Sequence, residues 1–279
     1  MKYFRALTAV VLAGAMTLSL AACGGSADTA DTSAEAEAEA TDEASDDTEA
    51  IVTTVEDGQL IWGTNASFPP YESIDNNEVV GIDADIAAEL GKRLGLEAVV
   101  ENMDFDAIIP AVTSGKIDVG IAGMTVNEER LVNVNFSTPY VEAGQVIVVP
   151  EGSDITSVED LSGKIIGVQR GTTGDDYVSD PENGIEAAEV QRFSSAVETG
   201  QALLANKIEV IVIDNQPAKS IVNANEGLEI LPEPLTSEQY AICVSKDNEA
   251  LLDAINAALA DMEADGTLQA ILDEYLVED

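Results

Sequence analysis

Short apolar runs alternate with helix-like stretches along most of the chain, and this alternation constrains the fold more than any other feature. The segment 81–94 places Ile82, Ile86 and Leu90 on one helix face, and Gly95 ends it. Such alternation predicts an α/β fold with largely parallel sheets and helices on both faces. The predicted strands are 60–63, 98–100, 117–122, 145–149, 164–169, 191–193 and 210–214, and the predicted helices are 81–94, 106–114, 195–205, 217–225, 251–262 and 267–276, with another from about residue 175.

The two halves of the chain repeat a short motif. Gly115-Lys-Ile-Asp-Val119 leads into an apolar strand in the first half, and Asn206-Lys-Ile-Glu-Val210 does so in the second. About 230 residues of globular sequence are enough for two small lobes or one large domain. We interpret the repeat as support for two similar lobes.

Arg130 follows a strand, a glycine turn at Gly123 and a polar segment in which Thr125 and Glu128 have the spacing of a capping box. This spacing predicts that Thr125 opens a helix, whose free N–H groups attract an anion. An arginine about one and a half turns into that helix can hold a carboxylate through two parallel hydrogen bonds. The chain has only 12 Lys and Arg against 53 Asp and Glu, so this cation predicts a dedicated anion site. The alternative is a surface arginine paired with Glu128 or Glu129.

The N-terminus is typical of an export signal. Lys2 and Arg5 precede an apolar stretch at 7–20, which is shorter than the ~20 residues of a membrane span. It ends in Leu20-Ala21-Ala22-Cys23-Gly24, which resembles a bacterial lipoprotein signal. That resemblance implies a signal peptide at 1–22 and an acylated Cys23. The alternative is a plain signal peptide with an incidental cysteine.

Residues 23–57 are predicted to be the lipidated cysteine and a disordered acidic tether. Between Gly24 and about Ala50 there is no Lys, Arg, aromatic or branched aliphatic side chain. Such a segment buries too little apolar surface to offset its ordering entropy, and its charges extend it. A helix built on the Glu-Ala alternation at 35–40 is the weaker alternative, because no cations are present to pair with its acids.

The composition excludes several classes of function. The formal net charge of −41 at pH 7 argues against nucleic acid or an anionic membrane surface as a partner. The chain has no histidine, which excludes a serine–histidine triad and removes the commonest metal ligand. We expect no metal, no cofactor and no catalytic residues. Cys243 lies in an apolar run, where we expect a buried strand residue and no disulfide.

From about residue 58 to residue 279, ordered motifs resemble the bacterial extracellular solute-binding proteins of family 3, the polar amino-acid receptors of ABC importers. In the first half they are Gly63-Thr-Asn-Ala-Ser-Phe-Pro-Pro-Tyr-Glu72, Gly81-Ile-Asp-Ala-Asp-Ile-Ala87, Met103-Asp-Phe-Asp-Ala-Ile-Ile-Pro110, Gly123-Met-Thr125, Glu129-Arg130 and Asn135-Phe-Ser-Thr-Pro-Tyr140. In the second half they are Val168-Gln-Arg-Gly-Thr-Thr-Gly174, Asp214-Asn-Gln-Pro217 and Ala264-Asp-Gly-Thr267.

The resemblance implies a two-lobed, periplasmic-binding-protein-like fold of type II. Each lobe would be a mostly parallel sheet flanked by helices, and the lobes would close on ligand about two crossing segments near 143–145 and 237–241. We expect the first lobe at 58–144, the second at 145–238, and a return segment with the C-terminal helices of the first lobe at 239–279.

The resemblance also implies a set of ligand-binding residues. They are Asn65, Phe68, Phe105, Gly123, Thr125, Arg130, Gln169, Thr172, Thr173 and Asp214. Arg130 would bind the α-carboxylate of an amino acid, helped by Thr125 and the backbone at Gly123. Asp214 would receive the α-ammonium. The residue types agree with this assignment, because a zwitterion needs one fixed cation and one fixed anion.

The remaining residues would complete the contacts. Thr173, with Thr172 beside it, would add a hydrogen-bond donor from the second lobe. The rings of Phe68 and Phe105 would enclose the ligand side chain. Asn65 and Gln169 stand where relatives of the family contact its distal group.

Several positions keep an alternative. Asp214 can instead cap the helix that follows it, and Phe105 can be a core residue. Asp83 and Asp85 are interpreted as a helix-start cap and a solvated face. Arg170 favours an acidic or neutral ligand if its side chain points inward and has no bearing if it points outward.

The ligand charge stays open on these residues. A neutral Asn65 argues against an exclusively cationic ligand, since an acidic residue occurs here in some receptors for basic ligands. The rings of Phe68 and Phe105 allow cation–π contact with a Lys- or Arg-like side chain.

The predicted function is an amino-acid receptor, a monomer on the extracytoplasmic face of the cell membrane, held by lipid alone and delivering its ligand to the permease subunits of an ABC importer. Three alternatives remain: a dehydratase-like enzyme on the same fold, a sensory ligand-binding module, and a surface adhesin. The enzyme requires a buried acid with a raised pKa facing the ligand.

Overall fold

The computed structural model describes residues 52–276. The predicted signal peptide, Cys23 and most of the predicted tether lie outside these residues. Residues 52–57, which we assigned to the tether, lie against the first sheet instead: the backbone N–H of Val55 donates to Asp118, and Asn248 donates to the carbonyl of Thr53. Within residues 52–276, no helix has both the length and the apolar character needed to cross a membrane.

Fourteen strands and eight α-helices alternate along the described residues. The strands are β1 Gln59–Thr64, β2 Ser73–Asp75, β3 Glu78–Val80, β4 Glu97–Asn102, β5 Val119–Gly120, β6 Val134–Phe136, β7 Val141–Ala143, β8 Gln145–Pro150, β9 Ile165–Gln169, β10 Glu189–Phe193, β11 Val210–Asp214, β12 Leu228–Ile230, β13 Glu238–Tyr240 and β14 Cys243–Ser245. The helices are α1 Ile82–Leu94, α2 Ile108–Thr113, α3 Glu128–Leu131, α4 Thr173–Ser179, α5 Ala196–Leu204, α6 Asn215–Ala224, α7 Glu249–Ala264 and α8 Thr267–Tyr275. Single 3₁₀ turns cover Phe105–Ala107, Val158–Leu161 and Pro181–Asn183.

Two five-stranded sheets have the same architecture. The first has the order β4-β1-β5-β14-β6 and the second the order β10-β9-β11-β8-β12. In each sheet the first three strands are parallel, and the fourth is antiparallel to both of its neighbours. Four of the five strands therefore run in one direction, and the predicted α/β fold with mostly parallel sheets is confirmed. We call the part built on the first sheet lobe 1 and the part built on the second lobe 2.

The antiparallel strand of each sheet is the one that enters from the other lobe. The chain leaves lobe 1 through β7 and enters lobe 2 as β8, and it returns through β13 to become β14. Strands β7 and β13 pair with each other in an antiparallel register, with Glu238 opposite Ala143 and Tyr240 opposite Val141. This two-stranded ribbon overlaps the predicted crossing near 143–145 at Ala143 and lies within the predicted crossing at 237–241.

Apolar periodicity explains the helix faces in lobe 1. Ile82, Ile86 and Leu90 of α1 are fully buried, as predicted, in a cluster that also holds Leu251 and Ile255 of α7. Gly95 ends α1 in the left-handed conformation that glycine adopts readily.

Strand β14 is where the sequence predicted a buried apolar strand. Cys243 lies in it as a free, fully buried thiol. The predicted strand 117–122 is shorter than expected, since only Val119–Gly120 forms ladder bonds. Asp118 lies outside it and accepts hydrogen bonds from the backbone N–H groups of Val55 and Ile61.

Candidate functional site

A small cavity lies between the two lobes. Its wall is formed where strands β1, β5, β9 and β11 end, the usual place for ligands in parallel sheets. The lining residues are Phe68, Glu72, Phe105, Ala122, Gly123, Thr125, Arg130, Gln169, Thr172, Thr173 and Asp214. Nine of the ten residues predicted from the sequence are in this list. The tenth, Asn65, lies just behind the wall.

Arg130 is buried at the cavity, with 8% of its surface exposed. It is not the surface arginine of the alternative interpretation. Its Nη1 atom donates to the carbonyl of Thr125 at 2.7 Å, and its Nη2 atom donates to the carbonyl of Gly171 in lobe 2 at 3.0 Å. The guanidinium also stacks over Phe105, 5.3 Å from the ring centroid. Burial lowers the pKa of Arg130 from its ordinary value, and the nearby carboxyl groups of Asp176 and Asp214 oppose this shift.

The helix that carries Arg130 starts later than predicted. It spans only Glu128–Leu131, and its N-cap is Asn127, whose side chain accepts from the backbone N–H of Arg130 at 2.8 Å. Thr125 forms an isolated β-bridge with Tyr240 instead of opening the helix. The capping-box interpretation of Thr125 is therefore wrong, because pairing with the crossing strand keeps this segment extended.

Asp214 ends β11 and is almost fully buried. The hydroxyl of Tyr240 donates to it at 2.5 Å, and the side chain of Gln145, its register partner on β8, hydrogen-bonds it as well. Burial raises the pKa of Asp214 to about 6, although these hydrogen bonds oppose the shift. The residue stands at the N-cap of α6, but its side chain makes no capping hydrogen bond. The side chain of Asp214 therefore does not cap helix α6, and the alternative interpretation is wrong.

Two threonines bring hydroxyls from opposite lobes to the same acid. Thr125 Oγ1 donates to Glu238 Oε2 at 2.7 Å, and Thr173 Oγ1 donates to the same oxygen at 2.8 Å. Thr172 is the N-cap of α4, since its hydroxyl oxygen accepts from the backbone N–H of Asp175. All three predicted threonines line the cavity. The hydroxyl hydrogen of Thr173 is given to Glu238, so the prediction that it donates to a ligand is wrong for this arrangement, and its hydroxyl oxygen is what remains for the cavity.

The aromatic residues occupy the cavity wall as predicted. Phe68 stacks on Tyr71, with ring centroids 5.9 Å apart, and Phe105 lies under Arg130. Both rings are largely buried, so Phe105 belongs to the core and to the cavity at once. Gly123 leaves room for Phe68, because a side chain at this positive-φ position would begin 3.0 Å from the ring.

The backbone N–H of Gly123 is not available to a ligand, contrary to the prediction. It donates to Asp83 at 2.6 Å, and the hydroxyl of Tyr140 donates to the other oxygen of Asp83 at 2.9 Å. Asp83 is fully buried, so its interpretation as a helix-start cap is wrong; Gly81 is the N-cap of α1. Asp85 is half-buried and accepts from the hydroxyl of Tyr275 at 2.8 Å, so it is only partly the solvated face that we predicted.

A hydrogen bond joins the lobes at the distal end. The amide of Gln169 donates to Asn65 Oδ1 at 3.2 Å, and Asn65 donates to the carbonyl of Met103 at 2.8 Å. Arg170 turns outward, with its Nη1 atom 3.6 Å from Asp106 and 3.9 Å from Asp104 of lobe 1. Arg170 therefore does not bear on the charge of the ligand.

Glu72 is the lining residue of most consequence that the sequence did not single out. It is fully buried, and desolvation beside Asp83 raises its pKa well above the ordinary value. Desolvation also raises the pKa of Asp83, to about 6. The weak signal was its place in the Pro-rich loop after β1, where a charged residue directly follows an aromatic one. Glu238 and Gln145 were missed as well, since nothing local marks either as part of a site.

The arrangement suits a small zwitterion. A buried cation in lobe 1 and a buried anion in lobe 2 border one cavity, with two rings and a second acid beside them. A buried charged group is shielded from bulk water, so it binds a group of opposite charge strongly. Among the described residues there is no cluster of three or more His, Cys, Asp or Glu that fits a metal ion.

Comparisons with known proteins agree with this geometry. ABC transporter arginine-binding protein 1 of Escherichia coli (strain K12) is 35% identical over 223 residues, covering 78% of this chain and 90% of the relative. The ABC transporter glutamine-binding protein GlnH of Bacillus subtilis (strain 168) is 32% identical over 265 residues and covers 93% of both chains. A solved structure of an ancestral arginine-binding protein bound to arginine has 44% identity and a TM-score of 0.75, covering 79% of this chain and 99% of that one.

The family model matches residues 60–278, almost the whole described part of the chain. The architecture is that of a type II periplasmic binding protein, and the relatives are amino-acid-binding proteins of ABC transporters. The chain belongs to the bacterial extracellular solute-binding proteins, family 3.

Proposed function

We propose that the protein captures a free amino acid by closure of its two lobes and delivers it to the permease subunits of an ABC importer. The observation that carries this proposal is that Arg130 and Asp214, buried and from different lobes, line one cavity. Arg130 binds the α-carboxylate and Asp214 binds the α-ammonium, so a single ligand bridges the lobes. A ligand that contacts both lobes binds the closed state better and shifts the population toward it.

The ligand in this proposal has a side chain that donates hydrogen bonds, and a cationic side chain fits best. Phe68 and Phe105 flank the space, and Glu72 and Gln169 supply acceptor oxygens. An acid next to two aromatic faces favours a guanidinium or ammonium group. The arginine-binding relatives support this choice, and the glutamine-binding relative supports the neutral alternative.

The protein acts as a monomer at the extracytoplasmic face of the cell membrane, anchored by acylation of Cys23. We propose that the lobes comprise 58–144 with 239–279, and 145–238. The ribbon of β7 and β13 then acts as the hinge.

Isothermal calorimetry against each of the free amino acids tests the proposal. We expect arginine or lysine to bind with a stoichiometry of one, glutamine to bind more weakly, and Arg130→Ala to abolish the heat. Absence of binding for every amino acid contradicts the receptor. Acyl labelling of the full chain and of Cys23→Ala tests the anchor separately.

One observation favours a second function. Glu72 is a buried acid with a raised pKa that faces the cavity, and a dehydratase-like enzyme needs such an acid. Its neighbour Asp83 is tied to Gly123 and Tyr140, so the same pair also has a structural role. Chromatography of the bound ligand after incubation separates the two functions, because a receptor returns it unchanged and an enzyme does not.

A further inference from the structure

The carboxylate of Glu238 accepts hydrogen bonds from hydroxyl groups in three parts of the molecule. It lies at the start of β13, one of the two strands that connect the lobes. Its Oε2 atom accepts from Thr125 of lobe 1 at 2.7 Å and from Thr173 of lobe 2 at 2.8 Å. Its Oε1 atom accepts from Thr236, in the segment that leads into the strand, at 2.7 Å. One carboxylate therefore links both lobes to the connection between them.

These bonds fix the direction of the threonine hydroxyls. A hydroxyl has a single hydrogen, so Thr125 and Thr173 donate theirs to Glu238. The Thr173 oxygen also accepts from the amide of Gln145 at 3.0 Å, and Gln145 is the register partner of Asp214 on the neighbouring strand. Thr173 is thus held both by Glu238 and by the strand next to Asp214.

The shared oxygen depends on the closed arrangement of the lobes. Thr125 and Thr173 are attached to different sheets, and both reach Oε2 only while those sheets are close together. The contact therefore favours the closed state through protein groups alone.

Glu238 acts from outside the cavity. It borders a surface groove with Asn127, Glu129 and Asp176, whereas the cavity wall contains the two threonines that it holds. Its effect on a ligand is therefore transmitted by the threonines and by lobe closure.

We propose that Glu238 is a positioning residue for ligand binding, which couples closure of the lobes to the orientation of Thr125 and Thr173. This role rests on the proposed receptor function. When Glu238 is shortened or removed, the closed fraction falls, and the apparent affinity falls with it.

Four variants of the full chain separate contact geometry from charge. Glu238→Gln keeps the length and an acceptor oxygen, Glu238→Asp keeps the charge but shortens the reach, and Glu238→Ala removes both. Glu233→Ala, on an exposed loop, is the control for loss of one negative charge. Calorimetry with the amino acid that binds the wild type gives the affinity. A dye pair on Lys116→Cys and Glu182→Cys, both exposed, reports lobe separation by energy transfer without ligand.

We expect the affinity to decrease from the wild type through Glu238→Gln and Glu238→Asp to Glu238→Ala. The loss should be less than about threefold for Glu238→Gln and about tenfold or more for Glu238→Ala. Energy transfer without ligand should fall in the same order, and Glu233→Ala should behave as wild type. Asp equal to or better than Gln would show that charge alone matters and would overturn the proposal. So would an Ala variant with unchanged affinity and energy transfer.

Calorimetry tests the receptor function, and energy transfer without ligand tests the role of Glu238, so the two can fail independently. If the wild type binds no amino acid, the receptor function fails, and the energy-transfer series still decides the role of Glu238. If Glu238→Ala does not fold, the Gln and Asp variants decide, because both keep a polar group at the same site.

Discussion

Arg130 and Gly171 belong to different lobes, and Arg130 Nη2 donates a 3.0 Å hydrogen bond to the Gly171 carbonyl. A second donor, Nη1, is bound to the carbonyl of Thr125. A guanidinium has five N–H donors, so three remain for a ligand carboxylate. Arg130 is thus fixed by neutral backbone oxygens from both sides of the cleft, and in the proposed function its charge serves the ligand carboxylate.

Replacing Arg130 should therefore remove most of the affinity. Loss of a charge-assisted, bidentate pair in a desolvated cleft leaves the ligand carboxylate unpaired. We expect Arg130→Ala to weaken binding by more than about a hundredfold, and Arg130→Lys to recover only part, because a point charge cannot form the fork. Titration calorimetry measures both. Lys92→Ala, which removes an exposed cation paired with Glu89, is the control and should bind normally.

Binding should weaken as the pH falls through about 6. The pKa of Asp214 is raised to about 6 by burial, and only its ionised form can hold an ammonium. Protons then compete with the ligand, so the dissociation constant should rise by up to about tenfold for each pH unit below 6. The affinity of Asp214→Asn should be lower at pH 7 and should vary less with pH.

The des-amino analogue of the ligand is the control for this assignment. It has no cation for Asp214 to neutralise, so Asp214→Asn should weaken the amino acid much more than the analogue. Equal losses for both ligands would assign Asp214 a structural role and place the ammonium elsewhere.

Asp83 should make the protein more stable in mild acid than at neutral pH. Its folded pKa of about 6 is above the ordinary 3.8, so between these values the folded state binds more protons than the unfolded state. The free energy of unfolding then falls as the pH rises through 6. Thermal melts should show a smaller drop in Tm between pH 5 and 7 for Asp83→Asn than for the wild type.

Repulsion among the many acids of this chain gives a trend of the same sign, so a control is needed. Asp75→Asn, on an exposed strand of the β2–β3 hairpin, removes the same charge. It should keep the wild-type pH dependence. If Asp75→Asn flattens the profile as much as Asp83→Asn does, general repulsion explains it.

Much of the fold could be read from local sequence. Strand β11 has the predicted bounds, and the α1 face is the predicted one, because apolar period and glycine caps are encoded within a few residues. The repeated Lys-Ile-acid motif does lead to a central strand of each sheet, β5 and β11. What local sequence left open was the partner of each polar group.

The interpretations of Asp83 and Thr125 were wrong because local sequence does not show long-range partners. Asp83 has the local setting of a solvated helix start, and only Gly123 and Tyr140, 40 and 57 residues away, make it a buried acceptor. Thr125 has capping-box spacing, but Tyr240 from the returning strand holds it extended. Long-range contacts overrode the local signals in both cases.

The contact of Arg170 with Asp104 and Asp106 should contribute little to closure. The pair distances are 3.6 and 3.9 Å, and the side chains are 38–57% exposed, so water and salt screen them. We expect Arg170→Gln to weaken binding by no more than about fivefold at low salt and to have no effect at high salt. Titrations at two ionic strengths measure this, and a large loss that persists in salt would assign Arg170 to the ligand.

Glu72→Gln should distinguish a cationic ligand from a neutral one. Glu72 lines the cavity and is fully buried beside Asp83, so a ligand cation placed there would be paired with an acid in a dry environment. Gln keeps the shape and an acceptor oxygen but removes the charge. We expect arginine affinity to fall by about tenfold or more and glutamine affinity to change by less than about threefold.

Proton release gives a second measurement of the same contact. Because the pKa of Glu72 is raised, arginine binding should release protons, which makes the measured heat depend on the buffer, and Glu72→Gln should reduce that release. Equal losses for arginine and glutamine would mean that Glu72 acts only through Asp83 and the fold, and that the side-chain charge is read elsewhere in the cavity.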